Sequence, residues 1–295
     1  MSLTASVLAL LAALTAAMGA VLQSRGVHAV KEGDLGAAGL LSRLVRMPLW
    51  WLGVALTGPV VAVFHTAALD RGTLIEVEAV MVSSLLFALA LGALITHQSV
   101  SRRDWWSAVI VVVGLALFLG SADPYGDDYA VPVGQWVVVG VVVTAAVVLL
   151  GVAARRSTRP NVRAASWGTA AGVLLGTSAV LLKYVSTLFG DGLGAIVTSP
   201  ALWALAAAEL VALVCQQLAF RSGFAAALAP IVGGNPLVAG LIGVIIYHER
   251  FHRTPVDLAI AGTGLALVGI GIALLTISPM VAVGSGEVAP AGADD

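Results

Sequence analysis

Apolar residues run along the chain in nine long stretches, about 3–24, 48–69, 73–96, 104–121, 133–154, 164–187, 199–220, 223–247 and 256–277, with short polar segments between them. Each is close to the roughly 20 residues that a helix needs to cross a bilayer. A further segment at 35–46, around Leu40, Leu41, Leu44 and Val45, is apolar but short and carries Arg43 and Arg46. It reads as an interfacial helix or a tenth span. The pattern predicts an all-α, polytopic transmembrane bundle occupying residues 1–283 as one domain. The Gly/Ala/acidic tail at 284–295 is predicted to be disordered. No Lys or Arg precedes Arg25, so the first stretch reads as a retained span rather than a cleaved signal.

Composition agrees. Of 295 residues, 59% are hydrophobic and 11% charged, with a mean hydropathy of +1.01. A soluble chain carries about 25% charged residues, and no soluble fold hides this much apolar surface. Lipid is therefore the expected partner, and the net charge of −1 leaves no basic footprint for nucleic acid. The 33 glycines suit close helix contact in lipid. The one cysteine, Cys215, excludes an intrachain disulfide and a thiol metal cluster. There is no GxxxxGK[ST], HExxH or GxSxG run. The expectation is a protein that is not an enzyme and carries no cofactor.

Cations set the orientation. With the N-terminus outside, the inner loops hold Arg25, Lys31, Arg43, Arg46, Arg102, Arg103, Arg155, Arg156, Arg159, Arg163 and Arg221, against Arg71, Arg250 and Arg253 outside. The positive-inside rule then gives a multi-pass cell-membrane protein, N-out and C-in. The chain also repeats. Gly72 matches Gly223, and Ile95/His97 match Ile246/His248. Gly114-Leu115-Ala116-Leu117 matches Gly264-Leu265-Ala266-Leu267, Ser101…Asp104 matches Thr254…Asp257, and Leu49-Trp50 matches Leu202-Trp203. The two Ser/Thr…Asp pairs read as capping boxes. The repeats, about 1–121 and 133–277, are inverted in this orientation. That arrangement is typical of secondary transporters with a midplane site.

The segment Leu228-Ala229-Pro230-Ile231…Asn235-Pro236…His248-Glu249-Arg250, followed by the Gly264-Leu265-Ala266-Leu267 helix, resembles the drug/metabolite transporter (EamA-like) superfamily. It is most similar to bacterial relatives of the NIPA-type magnesium transporters. Ile75…Val77-Glu78-Ala79…His97-Gln98…Trp105…Gly114 is a weaker copy in the first half, with Ala79 in place of Pro230 and Gln98 in place of Glu249. Val21-Leu22-Gln23-Ser24-Arg25-Gly26 resembles the end of that group's first helix. The resemblance covers nearly the whole chain and implies a transporter. Its magnesium version implies a divalent cation as the solute.

Polar residues inside the spans are the candidate chemistry. Glu209 lies mid-span, where a charge costs about 2.5–3.5 kcal/mol, and is expected to face the interior as a cation or proton site. The alternative is a buried Glu that is protonated or paired with Lys183. Gln216 lies seven residues on, on the same face. Glu76 and Glu78 open the third span, as site or outer-gate groups or as solvated carboxylates at a helix N-terminus. Glu209 and Glu78 are the candidate metal ligands. Lys183 reads as a snorkelling residue or a counter-ion, and His65 as a core residue or a site group. Pro230, Gly233, Gly234, Asn235 and Pro236 predict a broken helix lining a cavity, where Asn235 and freed carbonyls would bind solute. The alternative is a packing kink with close helix contact. Gln23 reads as interfacial, and Trp50, Trp51, Trp105, Trp106 and Trp136 as aromatic-belt anchors. His97, His248 and His252 are loop residues.

The leading expectation is a transporter of a small solute, Mg²⁺ or another divalent cation in its sharper form. The alternatives are an exporter of a small organic metabolite or drug, and a non-transporting scaffold subunit of a cell-envelope complex. A homodimer is compatible with each. A topology reporter inserted between Arg156 and Arg159 should read as cytoplasmic, and an external reading would reverse the orientation.

Overall fold

The computed structural model describes residues 3–30, 37–71, 77, 80–96, 101–121, 133–246 and 254–276. In chain order the helices are α1 (Leu3–Ala29), α2 (Ala37–Leu44), α3 (Pro48–Ala55), a π turn (Leu56–Val60), α4 (Val61–Leu69), α5 (Ser84–Thr96), α6 (Arg102–Ser121) and α7 (Val133–Arg156). They continue as α8 (Pro160–Thr187), a 3₁₀ turn (Leu188–Asp191), α9 (Leu193–Thr198), α10 (Pro200–Ser222), α11 (Phe224–Ile246) and α12 (Pro255–Thr276). No strand occurs among the described residues. Eight helices there are long and apolar enough to cross a bilayer, counting the rod from α3 through α4 as one. α5 is apolar but shorter; the residues expected to open its span, 72–76 and 78–79, lie outside the described set. The protein is a multi-pass helical membrane protein.

Local sequence sets the helix ends. Ser101 donates to Asp104 Oδ2 from its hydroxyl (2.6 Å) and its amide (2.9 Å), and the Asp104 amide donates back to Ser101 Oγ (3.2 Å). Thr254 and Asp257 repeat this box at α12, with the Asp257 amide 3.2 Å from Thr254 Oγ1. Both expected capping boxes are therefore present. α10 opens on Ser199, which accepts from the Ala201 amide, with Pro200 at the first helical position. α2 is the short 35–46 segment; it buries Leu40 and Leu44 and leaves Ser42 and Arg43 exposed.

Helices meet where side chains are missing. A Cβ built at Gly114 on α6 would lie 2.7 Å from the Gly264 carbonyl oxygen on α12, and one built at Gly264 would lie 2.6 Å from the Gly114 oxygen. Gly271 meets Ser107 and Val111 further along, so the pair runs antiparallel. On α8, Gly168, Gly172 and Gly176 lie against Ala227, Pro230 and Asn235 of α11, and these two run parallel. Gly19 of α1 lies against Gly53 and Thr57, and Gly26 against Trp50, so α1 and this rod run antiparallel.

Two expectations are corrected here. α11 is one continuous helix from Phe224 to Ile246, through both Pro230 and Pro236. It is not broken. The prolines and glycines of this stretch are packed: Pro230 and Gly233 are buried, Gly234 rests on Gly172, and Gly233 faces Val268. The α8 glycine stripe fixes the backbone there, so packing overrides the tendency to unwind. The helix perturbation lies instead at Leu56–Val60, where Pro59 has no N–H to give and the turn widens to π. Trp50 is also not a belt residue, being 2% exposed, whereas Trp51 and Trp106 are exposed as expected.

Gly114→Ala should destabilise the protein by about 1–3 kcal/mol, because the new methyl meets main chain that cannot rotate away. Gly262→Ala, with nothing within 4 Å, should be neutral or better. Melting curves in one detergent compare them; equal melting temperatures would show that α6 and α12 do not depend on this contact.

Candidate functional site

A polar cluster lies buried where α1, the α3–π rod and α10 meet. Gln23 of α1 and Gln217 of α10 are 1% and 0% exposed. Gln217 Nε2 donates to Gln23 Oε1 (2.7 Å), and Gln216 Nε2 donates to the same oxygen (3.3 Å). Gln23 Nε2 donates to Thr57 Oγ1 (2.8 Å), and that hydroxyl lies 3.1 Å from the Gly53 carbonyl to which it donates. Trp50 Nε1 donates to Gln217 Oε1 (3.2 Å). The result is a neutral relay across three elements in which each buried amide is held at both ends. Thr57 belongs to the π turn, and the Gly19–Gly53 approach brings it to Gln23. Beside the amides, Leu213 and Leu218 pack on Val27, Leu40, Leu44 and Trp50.

Glu209 lies two turns before Gln216 on α10 and on the same face. The expectation that it faces the interior is corrected: it is exposed, and it makes no hydrogen bond or ion pair among the described residues. Nine residues separate it from Pro200, about 14 Å at 1.5 Å per residue, close to half of a ~30 Å core. The face that carries both residues is closed against α1 at Gln216 and open at Glu209. Among the described residues, no neighbour covers that face at the level of Glu209.

The other expected site residues do not gather around it. His65 is half-buried on α4. Asn235 and Pro236 are half-buried on α11, and the Asn235 main-chain oxygen rests on Gly176. Lys183 lies on α8, with its side chain outside the described set. Glu76 and Glu78 lie outside it entirely, so a shared Glu209–Glu78 metal site falls beyond what is described. Among the described residues, no three His, Cys, Asp or Glu side chains come together. The cluster residues Gln23, Trp50 and Thr57 were not site candidates from sequence. Their signal was the amide pair Gln216-Gln217 facing a polar residue late in the first span.

Among known proteins, the chain is 30% identical over 292 residues to an uncharacterized protein of Corynebacterium glutamicum, an alignment covering 96% of this chain and 98% of the relative. The chain belongs to that protein's family. No family model matches, and no solved structure matches. The alignment is end to end, so family membership extends over the whole bundle, the α1, α3 and α10 segments of the polar cluster included.

Gln23→Leu should cost about 1–3 kcal/mol by stranding the Gln217 amide. Gln217→Leu should cost a similar amount by stranding the Trp50 N–H. In a double-mutant cycle the two should couple by about 0.5–3 kcal/mol. Strictly additive losses in urea or thermal unfolding would mean that the amides do not interact.

Proposed function

We propose that the protein is a secondary transporter of the drug/metabolite type, which moves a small cation, Mg²⁺ in its sharpest form, across the cell membrane. The observation that carries this reading is Glu209, a carboxylate exposed near mid-span with no partner among the described residues. A lone charge at that depth costs about 2.5–3.5 kcal/mol if lipid surrounds it. Water reaching the open side of α10 at Glu209 would remove that cost and give the charge a task. A small cation arriving there meets one carboxylate, with the Gln216 amide about 10 Å further along the same face. This suits Mg²⁺, which keeps several of its waters and takes few protein ligands.

The same reading includes two inverted halves. Gly114 and Gly264 occupy matching places in the repeat, and each is the other's contact across an antiparallel crossing. A two-fold axis in the membrane plane passing near this crossing would give such a reciprocal contact. The halves then rock about the α6–α12 crossing, with α7 as the connector that reverses the second half. The cation count places the Gln23 end of the bundle in the cytoplasm. Export of a small organic cation uses the same carboxylate and differs only in the solute.

In proteoliposomes with a trapped Mg²⁺ indicator, Glu209→Gln should reduce flux at least tenfold while its melting temperature stays within about 2 °C of the unmodified protein. Mg²⁺ that binds only the folded state should raise the melting temperature of the unmodified protein and not of the variant. Unchanged flux in folded Glu209→Gln protein would end the cation assignment.

A further inference from the structure

The geometry points to the Gln23–Gln216–Gln217 cluster as the inner gate of the pathway, the contact that must part for solute to pass from Glu209 to the far side; this rests on the transporter reading above. The argument begins with how the helices are joined. α1 meets the α3–π rod main chain to main chain, since Cβ atoms built at Gly19 and Gly53 fall 2.6–2.9 Å from the opposing helix. α8 meets α11 in the same manner along Gly168, Gly172 and Gly176, and α10 packs on α8. Contacts of this kind resist sliding, because main-chain atoms, which have no rotamers to change, form much of each contact. They define two bodies, α1 with its rod and α8 with α10 and α11.

Between those bodies the junction is of another kind. Across α1 and α10 it consists of side-chain hydrogen bonds, from Gln217 (2.7 Å) and Gln216 (3.3 Å) to the one oxygen of Gln23, backed by Trp50 to Gln217 at 3.2 Å. Leu213 and Leu218 seal it with an apolar layer against Val27, Leu44 and Trp50. Every member of the relay is uncharged. Amide hydrogen bonds of this kind can be exchanged for water or solute without leaving a bare ion behind. Helix α10 carries both parts of the device on one face: Glu209 in the open portion and Gln216 in the closed one, two turns apart. Gln216 makes the longest of the three bonds that enter the Gln residues. Its Nε2 holds Gln23, and its carbonyl oxygen is the end that a cation prefers. Glu209 and Gln216 lie about 10 Å apart along α10, so a cation at Glu209 meets the cluster only as it moves inward, and the long Gln216–Gln23 bond is the first to give. Pro59 and the π turn beside Thr57 supply a weak point in the rod at the level where opening must bend it.

The test locks the junction. Gln23→Cys/Gln217→Cys is made with Cys215→Ser, which removes the single native thiol, and is reconstituted with a trapped Mg²⁺ indicator. A short, reducible bifunctional thiol reagent is then added. Cross-linking should reduce Mg²⁺ flux at least tenfold, reduction should restore it, and either single-cysteine protein should be unaffected by the reagent. Flux that survives complete cross-linking would overturn the gate and leave the transporter reading standing. No Mg²⁺ flux in the unmodified protein would overturn the Mg²⁺ reading instead. Hydrogen exchange on Gln23→Leu then decides the gate without a solute. Backbone amides at 20–27 and 213–219 should exchange at least tenfold faster, while those of α6 and α12 stay unchanged. Equal exchange in the folded variant would rule the gate out.

Discussion

Apolar side chains gain nothing from leaving lipid for one another, so this bundle depends on how closely its main chains can approach. Glycine makes the approach possible. At Gly114 and Gly264, at Gly19 and Gly53, and along Gly168, Gly172 and Gly176, helices touch through backbone atoms. These contacts bring large areas of dispersion attraction into range and fix which helices move together. The buried amides then lie at the seam between such units rather than inside one. A polar contact within a glycine-packed pair would be rigid in both its parts. At a seam it is the element with freedom to change.

The hydrophobic pattern made the architecture legible because span length is set by the bilayer, and eight of the nine apolar runs matched described helices to within a few residues. The capping boxes at Ser101 and Thr254 were legible for a local reason: a short side chain and an acid three residues on need nothing from the rest of the fold. The stretch from Pro230 to Pro236 was misread because its breaking tendency is local, whereas its helicity is imposed by α8. No pattern within α11 reports the glycine spacing of another helix. Pro59, a single proline in an otherwise ordinary apolar run, gave the weaker signal and has the larger effect.

The candidate site was half legible for the same reason. Periodicity put Glu209 and Gln216 on one face correctly, but which portion of that face another helix covers is a tertiary fact. Gln23, near the end of its span, reads as interfacial from sequence and proves to be almost fully enclosed. Trp50 likewise has the position of a headgroup anchor and the environment of a core residue, because α2 and α10 close over it. Span ends in a packed bundle are not all equivalent: some look onto headgroups and some onto neighbouring helices.

The reciprocal contact of Gly114 and Gly264 has a consequence for how such a chain can change over time. Each residue is the obstacle to a side chain at the other, and the obstructing atoms are main chain, present whatever residue occupies the position. A methyl gained at one site therefore has no compensating substitution across the crossing. Where most packing positions drift in correlated pairs, this pair is held independently on both sides. The crossing should stay recognisable as two glycines after the sequence around it has diverged, and would leave no covariation to mark it.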